Sequence, residues 1–478
     1  MVGRLTNVEA EIFACSRIKN LLLTFSCRRW DSSFLGGAAR KMRWMDHTSI
    51  KSYEVHGISS MMRDLDWLAD DVPALETEIL GMQRLDPLLR PQLEVRSGAQ
   101  LTARVGDVVL FRALQPGAYS DMETTWGGRV SLVSGRTYIG VICERNSTKF
   151  FTARLGERRC PYDKLVLQFI AQAGGIGYCT GYSPALAKLT GCGRPADVEV
   201  LGVLYDASRQ VYLNTISISG LASDDSQPPV GVPPTLLILG TTTDVGKTTM
   251  ACRLLHGLSK TLRCVAIKAS GTGWYEDSIL HLGSGASWAM NFGFVGLPTT
   301  YWTDAALYTR AIYTLYRYVV HPGDLPLYKR PPNSRHEQPR RPQVLIVEHG
   351  GDVLGANVPV FLDDNCLMAP VRVVIVCSES ALSLAGALAE MRSRRIGARH
   401  LRLYAAMPQV NPEGFIDRVT PYIDRGELHG IVDIHKPEHE PAGGWRREYA
   451  DRHSQALSAN DIVTEIERIL TKEEILNK

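Results

Sequence analysis

Residues Leu236–Met250 read "LLILGTTTDVGKTTM". Four apolar residues run into Gly240, a polar loop follows, and Gly246-Lys247-Thr248-Thr249 opens a helical pattern with Met250, Leu254, Leu255 and Leu258 on one face. A strand, a loop and a helix in this order form the context of a phosphate cradle. Glycine lets backbone N–H groups turn inward against phosphate oxygens, and the helix N-terminus adds partial positive charge. In that context Lys247 reaches the β- and γ-phosphates and Thr248 offers a hydroxyl to Mg²⁺. The common pattern is G-x-x-x-x-G-K-[ST]. Here one more residue separates Gly240 from Gly246, and Thr241 stands where the first Gly belongs.

The chain around this loop has 478 residues, enough for two or three domains. Its 45% hydrophobic and 22% charged residues are ordinary for a soluble globular protein. A formal net charge of +3 is too mild to imply nucleic acid or an anionic membrane, so neither is expected as a partner. The ten cysteines lie singly, with no C-x-x-C pair, which points to free thiols in a reducing, cytoplasmic compartment. No run approaches the roughly 18 apolar residues that span a bilayer. Residues 1–45 carry eight Lys or Arg against three acids, but Glu9 and Glu11 argue against a mitochondrial presequence. Residues 1–60 are expected to be a weakly ordered extension.

Residues 61–83 have a helical pattern broken by Pro73. From about residue 85 short β-type runs alternate with Gly and Asp turns, and 198–218 reads as a hairpin. We expect a small β-rich (α+β) domain over 61–222, barrel-like in its strand content. The stretch "SDDSQPPVGVPP" over 223–234 is the strongest linker signal in the chain. Beyond it, "LLIL", "CVAIKA", "VLIVE", "VRVVIVC", "LRLYAAM" and "GIVDI" alternate with helical stretches. That alternation predicts an α/β domain over 235–478, a parallel sheet with helices on both faces. The Pro-rich, basic segment 321–343 reads as a surface insertion.

The segment "GTTTDVGKTT" resembles the phosphate loop of dethiobiotin synthetase, G-T-D-T-x-V-G-K-T. That enzyme and the cobyrinic and cobyric acid synthases form one branch of P-loop proteins, and the resemblance covers about 235–435. It implies ATP and Mg²⁺, and phosphorylation of a substrate carboxylate or carbamate that an amine then attacks. Gly240, Thr242, Thr243, Asp244, Val245, Gly246, Lys247, Thr248 and Thr249 would form the nucleotide loop, with Thr242 in place of the family's Asp. In "CVAIKASGTGWYEDS", Lys268 stands where the family has its K-P lysine, with Ala269 for Pro, and Asp277 is placed to hold Mg²⁺. In "VLIVEHGGD", Glu348 before Gly350-Gly351 is similar to the family's V-E-G-A-G-G, with Asp352 a further candidate. Lys247, Lys268 and Glu348 are thus the expected catalytic residues, and Thr248, Asp277 and Glu348 the expected metal ligands. Absence of an Asn-Lys-x-Asp motif favours ATP over GTP. Asn411 is a candidate contact to the base; an Asn before Pro is equally a plain turn.

The stretch 291–320 is aromatic-rich, and Thr299, Thr300 and Tyr301 are candidates to line a substrate pocket. That stretch also resembles a P-loop family in which a small N-terminal domain precedes a dethiobiotin-synthetase-like one. The expected function is an ATP-dependent small-molecule ligase or kinase, acting as a homo-oligomer by analogy. The alternative is a partner-switching ATPase of the related branch, whose loop reads K-G-G-x-G-K-T; Thr241 to Val245 contain no Lys. A scaffold that only binds nucleotide is a further reading, opposed by Lys247, Thr248 and Glu348. Loops at 117–119 and 174–182 either face the nucleotide domain or are plain turns. His435 and His439, separated by Pro437, are read as surface residues, and Cys366 and Cys377 as buried thiols.

Overall fold

The computed structural model describes residues 41–45, 50–62, 93–124, 128–147, 149–156, 158–184, 186–207, 209–218, 227–322, 340–396, 401–407, 412–433 and 456–476. The helical pattern after Met62, most of the 321–343 insertion, the start of the linker, Asn411, His435 and His439 lie outside them.

The N-terminal domain is built on five strands: β1 (Val108–Ala113), β2 (Thr137–Ile142), β3 (Leu165–Ala171), β4 (Gly175–Gly177) and β5 (Ala196–Asp206). β1 pairs antiparallel with β2, β2 parallel with β4, β4 antiparallel with β3, β3 with β5, and β5 again with β1. The ring therefore closes into a small barrel without an open edge between these strands. Phe111, Tyr138 and Phe169 fill it, fully buried, with ring centroids 5.5 and 6.4 Å from Phe111.

Three expectations change here. Residues 41–45 and 50–58 are strands within the expected extension: Lys41–Met45 pairs with Ile50–Ile58, which runs parallel to β2 at Val55↔Thr137 and Ile58↔Ile139. Short β4 reaches only Val141 and Ile142, so the first half of that β2 edge needs another partner. The expected hairpin stops early. β5 pairs with Val211–Tyr212, but Thr215–Ile218 turns helical because the Asn214 side chain accepts from the N–H groups of Ile216 and Ser217. Residues 174–182 are mainly strand, β4 and Cys179–Tyr182, rather than loops facing the second domain.

The C-terminal domain carries an eight-stranded sheet. Its strands are β6 (Thr235–Gly240), β7 (Cys264–Ser270), β8 (Trp288–Asn291), β9 (Val344–His349), β10 (Val371–Cys377), β11 (Arg402–Ala406), β12 (Gly430–Val432) and β13 (Ala456–Leu457). Their order is β8-β7-β9-β6-β10-β11-β12-β13, and every pair is parallel. The central strands are apolar along their whole length because both faces are covered. Leu236 and Ile238 pack against α1 (Lys247–Leu258) through Met250 and Leu254, and against Ile462 and Ile466 of the C-terminal helix Ala459–Leu476. Leu237 and Leu239 face the other layer, which holds α3 (Ala305–Val320) and the helix Ala381–Ser393. A further helix, α2 (Tyr275–Gly283), follows β7. Cys377 is buried at the end of β10 as expected, but Cys366 is exposed, because it opens a short helix capped by Asp364 instead of lying in the strand.

All-parallel strands place the loops after β6, β7, β9 and β10 along one edge, and the barrel domain docks against that edge. Ser147 Oγ lies 3.2 Å from Thr243 Oγ1, and Arg129 pairs with Glu276 at 3.0 Å. Replacing Phe111 with Ala should remove the barrel's central ring and cost about 3–5 kcal/mol. Denaturant unfolding of the full chain tests this: a loss under about 1 kcal/mol would mean that the ring does not organise the barrel.

Candidate functional site

The loop Thr241–Gly246 leaves the centre of the sheet and enters α1. Asp244 adopts a left-handed φ of 61° within the turn. Lys247 folds back over the loop and donates to the Thr242 carbonyl at 2.6 Å. That path needs Gly240, since a Cβ there would stand 2.6 Å from Lys247 Cδ. Val245 packs on the α1 layer, and Thr248 and Thr249 sit in the first helical turn. The expected strand, loop and helix are thus formed, with the extra residue taken up in the loop.

Beside it, three elements converge on one carboxylate. Lys268 and Glu348 are register partners on adjacent parallel strands, which puts their side chains on the same face. Lys268 Nζ lies 2.5 Å from Glu348 Oε1 and 3.2 Å from Asp277 Oδ2. Thr248 Oγ1 lies 2.7 Å from Glu348 Oε1 and 3.2 Å from Asp277 Oδ1, so its single proton can go to either carboxylate. His281, one turn after Asp277 on α2, places Nε2 2.9 Å from Glu348 Oε2. Glu348 and His281 are fully buried. The structure therefore joins Lys247, Thr248, Lys268, Asp277 and Glu348 in one cluster and adds His281, which the sequence reading missed. The spacing of Asp277 and His281, four apart on one helical face, was the signal that could have found it.

The charges are strongly coupled. Burial favours the neutral form of Glu348, but the Lys268 charge and the His281 hydrogen bond outweigh it and hold the carboxyl well below its usual range. Burial likewise opposes the Lys268 ammonium, and Asp277 and Glu348 overcome it, raising Lys268 above an ordinary lysine. Lys247 has no such carboxylate in contact; burial and the Lys268 charge pull it down to about 8. His349, pushed down to about 3 by burial and by Lys268, is neutral, with Nδ1 3.0 Å from Ser270 Oγ.

Other candidates sort by contact. Thr299 and Thr300 direct their hydroxyls at backbone groups: Thr300 accepts from Gly271 N at 2.9 Å and donates to the Ala356 carbonyl at 2.7 Å. They lace the loops after β7 and β9 together instead of lining a pocket. Tyr301 stands over the Gly350-Gly351 turn, where a Cβ on Gly351 (φ 76°) would meet its hydroxyl at 2.8 Å. Asp352 accepts from Leu354 N within the same turn. The barrel domain reaches this region as well. Buried Glu123 accepts from Tyr275 N at 3.0 Å and from Ser60 Oγ, and so caps the start of α2 from across the domain boundary.

No protein-family model matches the chain. No curated protein matches it either. Among solved structures it is similar to the signal recognition particle receptor FtsY from Elizabethkingia anophelis in complex with GDP, at 16% identity over 46% of this chain and 67% of that one, with a TM-score of 0.26. It is similar to a putative plasmid partition protein from Borrelia burgdorferi B31 bound to AMPPNP, at 12% identity over 47% of this chain and 98% of that one, TM-score 0.26. A ParA family ATPase from Chlorobium tepidum TLS gives 9% identity over 50% and 95%, TM-score 0.25. At such scores the reading of this site rests on its own geometry: a P-loop on a parallel α/β sheet.

The Glu123 contact makes a pH prediction. Burial raises this carboxyl to about 7, above its ordinary value of 4.5. A raised folded-state pKa means that its contribution is full below 4.5 and is lost as pH rises through 7. Glu123→Gln, which imitates the protonated acid, should remove this loss. Urea unfolding across that window should show wild type losing stability relative to the variant. Parallel curves would mean that Glu123 does not titrate with folding.

Proposed function

We propose that the chain binds ATP with Mg²⁺ and transfers the γ-phosphoryl group to a carboxylate or carbamate of a small molecule. The observation that carries this is the convergence of Lys247, Thr248, Lys268 and Glu348 beside a helix N-terminus at the carboxyl edge of a parallel sheet. The donor set suits Mg²⁺, which binds proteins through one or two carboxylates and keeps water and phosphate oxygens in its remaining positions. Asp277 Oδ1 and Glu348 Oε1 offer such oxygens, both within 3.2 Å of the Thr248 hydroxyl, itself a further donor oxygen. Among the described residues no group of three or more His, Cys, Asp or Glu is arranged to hold a metal ion by itself. When bound, Mg²⁺ would offset charge on the phosphate oxygens.

The chain's own groups then have distinct tasks. Backbone N–H groups at the start of α1 receive phosphate oxygens. Lys247 leaves the Thr242 carbonyl for the β- and γ-phosphates. Its depressed pKa reflects how weakly that carbonyl compensates a buried ammonium, and an arriving phosphate restores the missing charge. Lys268 lies next to where charge builds on the transferred group, held there by Asp277 and Glu348. A substrate carboxylate oxygen attacks the γ-phosphorus, the bond to the β–γ bridging oxygen breaks, and ADP leaves with that electron pair. The resulting acyl phosphate awaits an amine or other nucleophile.

ADP release by the purified full chain tests the reading, alone and with carboxylic acids paired with amines. Release should appear only with particular pairs, vanish in Lys247→Ala, and fall by about 10²-fold or more in Glu348→Gln. Release that ignores every small molecule but responds to added cellular protein would favour a partner-switching ATPase. Absence of ATP binding would sink the proposal.

A further inference from the structure

The barrel domain presents a buried charged group whose hydrogen-bonding capacity its own fold does not use up. Arg145 is 6% exposed, at the start of a two-residue strand paired to Phe151–Ala153. Its Nη1 donates to the Ile170 carbonyl at 2.6 Å and to the Tyr119 hydroxyl at 3.0 Å. Its guanidinium carbon lies 5.6 and 5.3 Å from the ring centroids of Tyr119 and Phe150. These contacts fix the plane of the fork. Yet among the described residues no carboxylate lies within ion-pair distance of it. The adjacent Glu144 is committed elsewhere, accepting from the N–H groups of Leu155 and Gly156 at 2.8 and 3.0 Å. Nε and Nη2 make no hydrogen bond among the described residues and are not among the sealed-off polar atoms, so they open onto accessible space. A buried cation without a counter-charge is costly, and such groups are kept where a ligand supplies the missing anion.

The surroundings locate that space. Two residues along, Ser147 touches Thr243 of the phosphate loop, and Lys149 pairs with Glu379 after β10. Arg154, next to the strand partner Ala153 of Arg145, lies 5.0 Å from the Trp302 ring centroid. Tyr301, whose hydroxyl burial pushes up to about 12 against the pull of the Arg145 charge, stands over the Gly350-Gly351 turn. The unpaired fork thus belongs to the part of the barrel domain that meets the phosphate loop and the loop after β10.

We propose that Arg145 is the substrate clamp of a composite site: it takes an anionic carboxylate of the small molecule in a two-bond fork, with the Tyr301 hydroxyl as a further donor. This rests on the reading of the second domain as a phosphoryl-transfer site, and it gives the barrel domain its task. A carboxylate is favoured over a nucleotide phosphate because the loop, Lys247 and the helix N-terminus already serve phosphate. The planar fork also matches a carboxylate's two oxygens.

Thermal unfolding of the full chain, titrated separately with succinate, glutarate, inorganic phosphate and Mg²⁺-ADP, tests the clamp. A dicarboxylate should raise the wild-type midpoint saturably. In Arg145→Met the titration should weaken by about 10²-fold, and in Arg145→Lys, which keeps the charge and loses the fork, by an intermediate factor. Lys247→Ala should retain the carboxylate response. The Mg²⁺-ADP response should survive in Arg145→Met. Equal carboxylate titrations in wild type and Arg145→Lys, no response to any carboxylate, or a phosphate or Mg²⁺-ADP response abolished with Arg145 would each overturn the clamp. A wild type that answers carboxylates through Arg145 but ignores Mg²⁺-ADP would overturn the phosphoryl-transfer reading and leave the clamp standing.

Discussion

Glu348 carries a negative charge with no access to water, and the site is arranged around that fact. An isolated carboxylate at that depth would be neutral. It stays charged because a lysine one strand away, a histidine from α2 and a hydroxyl from α1 all point at it. Each partner belongs to a different element, so the carboxylate ties β7, β9, α1 and α2 into one unit. Lys268 is compensated by two carboxylates, while Lys247, held by the Thr242 carbonyl, is pulled down by burial and by the Lys268 charge.

The barrel domain repeats this logic at larger scale. It caps α2 through Glu123, holds Glu276 through Arg129, and touches the phosphate loop through Ser147. Since α2 carries both Asp277 and His281, docking of the first domain helps set the geometry of a cluster that lies wholly in the second. The same docked surface carries Lys149, which pairs with Glu379 after β10. Two domains with separate cores, one barrel and one layered sheet, therefore meet through polar contacts.

Much of this was legible in the chain itself. The strand–loop–helix around Lys247 is a local pattern, and local patterns survive in sequence because their geometry depends on neighbours a few residues away. The parallel sheet was visible through the alternation of apolar strands with helices, and Lys268 and Glu348 through their positions at strand ends. The two-residue strand of Arg145 and the strand Ile50–Ile58 were not visible. The first is too short to carry a period, and the second has its place only because β4 leaves part of β2 uncovered. The pocket role expected of Thr299 and Thr300 failed because hydroxyls near glycine turns find backbone partners first.

The amino-acid order alone determined the phosphate loop, the α/β class of the second domain and the β-rich class of the first. Which charges meet was decided only by the tertiary structure. Register across parallel strands joins Lys268 to Glu348 over 80 residues of chain, helix packing adds His281 from 67 residues away, and domain docking brings Ser147 to Thr243 across 96. Such pairings follow from burial: once the apolar faces close, each enclosed charge must find its partner wherever the fold has placed one.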